Sequence, residues 1–277
     1  MCWPCVIKLL RFNATLSAVI CFLIANIQSV QAQPEEVVVI GTAFDKITTH
    51  VSAMVTVSRD DQIARWNRPL CVRAEGLSQQ HQKTLLRRLA AAAENTRLSV
   101  TDTECNPNVL LFFASDAPAT TGQLADHFEI PLRQAGPDKV NAFKTSSAPV
   151  RWITTFDPCG FGCRLANSRI SASTAPALQL MVIVVDIAQI KDHDFESVAD
   201  YLALVALTNP SSEGSPSPDS ILTLFTNSTA GSLTKRLSIL DAVFIEALYT
   251  VPMDRYAKSQ QHAISSRMVT LLNEAQQ

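Results

Sequence analysis

Val198-Ala199-Asp200-Tyr201-Leu202-Ala203-Leu204-Val205-Ala206-Leu207 is the stretch whose reading decides the fold. Its length and nearly unbroken apolar character, with Asp200 the sole charge, predict an apolar helix. A loop follows over residues 209–219, rich in serine (Ser211, Ser212, Ser215, Ser217) and proline (Pro210, Pro216, Pro218). That composition predicts a mobile surface segment. Asp219-Ser220-Ile221-Leu222 then reads as a turn. A closing helix ends in Asp241-Ala242-Val243-Phe244-Ile245-Glu246-Ala247-Leu248-Tyr249.

Upstream, the chain reads as strands with intervening helices. Residues 63–66 and 69–72 are extended segments. Ser78 is a candidate N-cap for a helix over 79–95, with Leu85, Leu86, Leu89, Ala92 and Ala93 on one face and Lys83, Arg87 and Arg88 snorkelling or facing solvent. Residues 109–113, 150–156 and 178–187 read as strands, with a candidate edge strand over 167–172. Residues 116–121 read as a loop, 124–128 as a short helix, and 256–277 as a polar, frayed helix. The expected fold class is α+β (α/β-like): a mixed β-sheet with covering helices that ends in a helix-loop-helix.

The N-terminus predicts export. Lys8 and Arg11 are the only charges in residues 1–32, an apolar stretch spans 14–27, and Val30-Gln31-Ala32 fits the end of a signal peptide. The apolar run is shorter than the roughly 20 residues a membrane span requires. Any membrane contact is therefore expected only through this segment, if it is uncleaved. A mature chain of about 245 residues suits one well-buried domain or two small ones. Residues 33–61 read as an N-terminal arm or connector, in which the β-branched run at 35–42 would form a surface strand able to pair with a partner sheet. The main domain is expected over 62–252, with the polar helix over 253–277. A net charge of −2 excludes nucleic-acid binding through a basic surface.

Four cysteines fall outside the signal segment: Cys71, Cys105, Cys159 and Cys163. An even set in an exported chain predicts disulfides, paired Cys71 with Cys105 and Cys159 with Cys163. The wide separation of Cys71 and Cys105 weighs against a four-cysteine zinc site.

From residue 62 to Tyr249 the chain resembles a metzincin-like domain of the zincin fold, such as occurs in degenerate form in an uncharacterised bacterial envelope group. The resemblance rests on the apolar helix, on Asp219-Ser220-Ile221-Leu222 where metzincins carry a Ser-Ile-Met-like turn, and on a last helix from Leu233-Thr234 through Asp241 to Leu248-Tyr249. A zincin needs histidines at i and i+4 with a glutamate beside the first. Laid on that pattern, the histidine positions hold Ala199 and Ala203, the glutamate position holds Asp200, and the third ligand position falls near Asn209. The five histidines (His50, His81, His127, His193, His262) are scattered; His193, with Asp192, Asp194 and Glu196, is the nearest to the helix. The resemblance therefore implies a pseudo-metallopeptidase with no metal, cofactor or catalytic residue. Such a protein would bind or scaffold an envelope protein or peptide in the periplasm or outside the cell.

Other chemistry has less support. Neither a G-x-G-x-x-G loop nor a G-x-S-x-G elbow occurs. An alternative is a hydrolase with a carboxylate-based, non-zinc site built on Asp186, Asp200 and Arg169. It requires those side chains to converge. Asp186, Asp200, Tyr201 and Arg169 are the candidate cleft residues, with Asp200 expected to face the cleft.

Overall fold

The computed structural model describes residues 35–57, 62–163, 168–169, 171–226 and 235–275. The expected signal segment, Asn167 and Ile170 of the expected edge strand, and Leu233-Thr234 lie outside the described residues. Residues Ala43–Gln277 form one compact unit, separate from Met1–Thr42.

The chain is α+β, with helices on both sides of a five-stranded sheet. Its strands are β1 (Leu70–Glu75), β2 (Val100–Thr101), β3 (Val109–Ala114), β4 (Val150–Asp157) and β5 (Ala177–Asp186), in spatial order β2-β1-β3-β5-β4. β4 alone runs antiparallel to its neighbour, so the sheet is mixed and β4 forms one edge. Central β5 is buried on both faces. Met181, Ile183 and Val185 enter one core, and Val182 and Val184 the other.

The larger core packs helices α2 (Gln79–Ala92), α7 (Phe195–Thr208), α8 (Ile239–Thr250) and α9 (Ala257–Glu274) against one face. The smaller one lies under α3 (Ala117–His127), the short α4 (Glu129–Leu132) and α5 (Pro137–Thr145). Ser78 caps α2 as the sequence predicts, accepting from the His81 amide. Asp194 caps α7 through the Ser197 amide. Disulfides join Cys71 to Cys105, and Cys159 to Cys163.

Several expectations are corrected. The run at 35–42 is no strand; it begins helix α1 (Glu35–Met54). Within the compact unit, Ile47, Val51 and Met54 of α1 enter the larger core, an i, i+4, i+7 stripe that outweighs local β preference. Residues 117–121 are helical, because Asp116 caps α3 through the Ala119 amide and a proline occupies its first turn. Ser168, Arg169, Ser171 and Ala172 carry no strand. The last helix is anchored rather than frayed: Ile264, Met268 and Leu271 are buried.

The serine- and proline-rich loop is tied to α1. The Ser211 amide donates to Met54 O at 2.9 Å, and the Ser217 amide to His50 Nδ1 at 3.4 Å. A side chain at Gly214 would collide with the Ala53 carbonyl oxygen. The short helix α6 (Ile187–Ile190) follows β5 directly, with Asp186 as its cap.

Candidate functional site

α7 is buried from Ser197 to Thr208, and three chain segments satisfy the carbonyls at its C-terminal end. Trp66 Nε1 donates to Ala206 O at 2.7 Å, and the Tyr249 hydroxyl donates to Leu207 O at 2.7 Å. The Asn209 amide donates to Val205 O at 2.9 Å while Asn209 itself turns the chain with φ 47°. Asparagine is one of the few residues that tolerates this left-handed conformation. The turn expected at 219–222 is a 3-10 helix over Ile221–Thr223, packed against α7, with Ile221 buried. Ser220 caps it and also bonds Asp241 at the start of α8.

Beside α7 a groove of about 710 Å³ runs along the outer edge of β4. One wall is β4 from Val150 to Thr154. The opposite wall is the chain at 55–57 and 209–213, joined by the Val55–Pro210 bridge. α5 contributes Lys139, Ala142 and Phe143, and Tyr201 is the one α7 residue in the lining. No described residue pairs with β4 on this side.

The backbone register fixes which groups β4 offers. The Asp186 amide donates to Pro149 O at 2.9 Å, which makes 149 and 186 a hydrogen-bonded pair. Antiparallel ladders alternate. Arg151, paired with Val184, and Ile153, paired with Val182, therefore turn their peptide groups towards β5. Val150, Trp152 and Thr154 turn theirs outward along the groove.

The predicted cleft residues separate. Tyr201 lines the groove, with its ring edge-on to Phe225 at 4.8 Å, and burial pushes its phenol pKa up. Asp200, expected to face the cleft, instead faces α2. It is 1% exposed, receives both Nε and Nη2 of Arg88, and accepts the Leu237 amide at 3.0 Å. That bond holds Arg88 protonated, with its pKa raised. Helix geometry accounts for the correction: successive residues project about 100° apart, so Asp200 and Tyr201 serve different neighbours. Ala199 and Ala203, both fully buried, lie outside the groove lining. Asp186 caps α6 and accepts from Gln189 Nε2 at 2.8 Å, and Arg169 is exposed. Asp186, Asp200 and Arg169 thus have separate surroundings, and no hydrogen bond or ion pair among the described residues joins them.

His193 stands edge-on to Phe225 at 4.9 Å. Its acidic neighbours Asp194 and Glu196 pair with Arg236 at 3.2 and 3.0 Å, and Glu196 also pairs with Arg87 at 2.9 Å. Among the described residues no group of three His, Cys, Asp or Glu side chains is arranged to hold a metal ion.

Sequence reasoning missed Arg151. It lines the groove and is 3% exposed; its Nη2 donates to Ala148 O at 3.1 Å, while Nε and Nη1 have no partner among the described residues. The only readable signal was a cation inside an otherwise apolar, alternating strand. In comparisons with known proteins, the chain matches no family model, no curated protein and no solved structure.

Proposed function

We propose that this protein is an exported, catalytically silent zincin-like protein whose groove binds an extended segment of an envelope protein or peptide. One observation carries the reading: the outer edge of β4, which no described residue pairs, lies along a groove beside the helix that would hold the zinc ligands. The outward peptide groups of Val150, Trp152 and Thr154 can accept one more strand, and backbone hydrogen bonds then supply affinity with little demand on sequence.

Further support comes from the chain order. A buried helix, a turn packed against it and α8, which carries Leu248-Tyr249 in its last turn, follow one another in the order the zincin resemblance implies. Alanines stand where that pattern has histidines, and alanine cannot ligate zinc. The two disulfides are compatible with an oxidising compartment.

The test is a titration of the purified full chain with pooled, N-acetylated, C-amidated heptapeptides built from Thr, Val, Ser and Tyr, read by Trp152 fluorescence. Saturable binding that falls at least about tenfold when alternate peptide amides are N-methylated is the expected result, because each lost backbone bond removes about 1 kcal/mol. Binding indifferent to N-methylation, or no binding at millimolar peptide, would overturn the reading.

A further inference from the structure

Arg151 gives the groove a chemical preference. Its side chain belongs to the face of β4 that carries Ile153, on the α3–α5 side of the sheet. A buried guanidinium is retained where an anion or several acceptors meet it. Here one carbonyl, Ala148 O, meets Nη2, and Nε and Nη1 are unmatched among the described residues. The acidic groups on the groove rim, Asp138 and Glu213, are exposed, and neither bonds Arg151.

A strand added to this edge would exchange hydrogen bonds with Val150, Trp152 and Thr154. The guest residue opposite Arg151 then occupies a non-hydrogen-bonded position, where Cα atoms approach to about 4.5 Å and side chains on the same face come closest. A carboxylate on that residue meets the unmatched donors, and a guanidinium prefers carboxylate to any neutral acceptor. We infer that the groove selects extended peptides bearing aspartate or glutamate at the residue opposite Arg151. The inference rests on the peptide reading of the groove.

Four heptapeptide pools test it, all N-acetylated. Three are C-amidated and hold Glu, Gln or Lys at the central position. The fourth has no acidic side chain and ends in a free carboxylate. Each is titrated into the purified full chain by Trp152 fluorescence, with hydrogen-exchange protection of the Val150, Trp152 and Thr154 amides as the locator. The Glu pool is expected to bind at least about tenfold more tightly than the Gln pool, the value of a charge-assisted hydrogen bond. Arg151→Gln should abolish that difference. Equal binding of the Glu and Gln pools, with N-methyl sensitivity intact, would overturn the acidic preference and leave the groove as a peptide site. No binding by any pool would overturn both. Preference for the free carboxylate over the Glu pool, or a Glu preference that survives Arg151→Gln, would also overturn the inference. The comparison of pools on the unaltered protein decides the matter even if Arg151→Gln does not fold.

Discussion

The carboxylate of Asp241 on α8 accepts a hydrogen bond from the hydroxyl of Ser220 at 2.6 Å, joining the turn packed against α7 to the start of α8. The same carboxylate accepts the Ile221 amide at 2.8 Å and the Ser238 amide and hydroxyl at 3.1 and 2.9 Å. Four donors on one buried acid make it the junction of the loop and α8. Burial outweighs those bonds and raises the Asp241 pKa.

Two substitutions separate charge from geometry at this junction. Asp241→Ala leaves several buried donors without an acceptor and should cost about 3 kcal/mol. Asp241→Asn keeps one acceptor oxygen, and its amide can donate to a rotated Ser220 hydroxyl; it should cost about 1 kcal/mol. Urea unfolding of both variants checks the order. A larger loss for Asn than for Ala would contradict it.

His50 makes stability depend on pH. It is 4% exposed and faces the Phe244 ring, the Ser217 amide and, more distantly, Asp219. Burial pushes its pKa down to about 4, with Asp219 opposing. The folded chain therefore holds neutral imidazole, whereas the unfolded chain takes up a proton near the ordinary value of about 6.5. Stability from this group is complete above that value and is lost as pH falls towards 4, by an amount on the order of 3 kcal/mol. The stability gap between the wild type and His50→Leu should shrink by that amount from pH 7 to pH 4. A gap constant with pH would show that His50 does not titrate on unfolding.

Much of the fold was legible because local and global preferences agree. Ser78 sits where a cap belongs, and the run 109–113 and residues 181–185 are apolar enough for a sheet covered on both faces. The reading failed where they disagree. Val37-Val38-Val39-Ile40 favours a strand by side-chain shape, yet it lies in a helix that continues through the core stripe of Ile47, Val51 and Met54. Asp116 and Pro118 look like loop punctuation but start a helix.

The groove was less legible, because it depends on pairings remote in sequence. Arg88 meets Asp200 across 112 residues, and no local pattern signals that contact. Once it forms, Asp200 is committed to α2 and only Tyr201 remains for the groove. Nor does the sequence of β4 alone say that no described residue pairs with its outer side.

That division makes neighbouring residues on α7 behave differently. Asp200→Ala removes the partner of Arg88 and of the Leu237 amide and should cost about 2–4 kcal/mol of stability. At temperatures where the variant is folded, its peptide affinity should be unchanged. Tyr201→Phe removes only the hydroxyl of a groove-lining residue; it should leave stability within about 1 kcal/mol and alter peptide affinity. Both effects falling on stability, with no change in affinity for Tyr201→Phe, would remove Tyr201 from the site.

The two disulfides should differ in weight. Cys71–Cys105 closes a sequence separation of 34 residues and ties β1 to the segment before β3, whereas Cys159–Cys163 closes a separation of 4. Loop-closure entropy gives about 4 kcal/mol for the first and about 2 kcal/mol for the second. Cys71→Ser with Cys105→Ser should therefore lower the urea midpoint about twice as far as Cys159→Ser with Cys163→Ser.

Zinc should contribute nothing to stability. Binding at His193 would require Asp194 to leave Arg236 and its cap on α7, and Glu196 to leave Arg236 and Arg87. Each exchange gives up charge-assisted bonds before the metal gains a ligand. Chelator treatment should leave the melting temperature unchanged. Zinc retained after incubation with excess metal and desalting should be well below one ion per chain. One tightly held zinc would mean that these arginine pairs open, and His193, Asp194 and Glu196 would then be the first residues to substitute in locating the ligands.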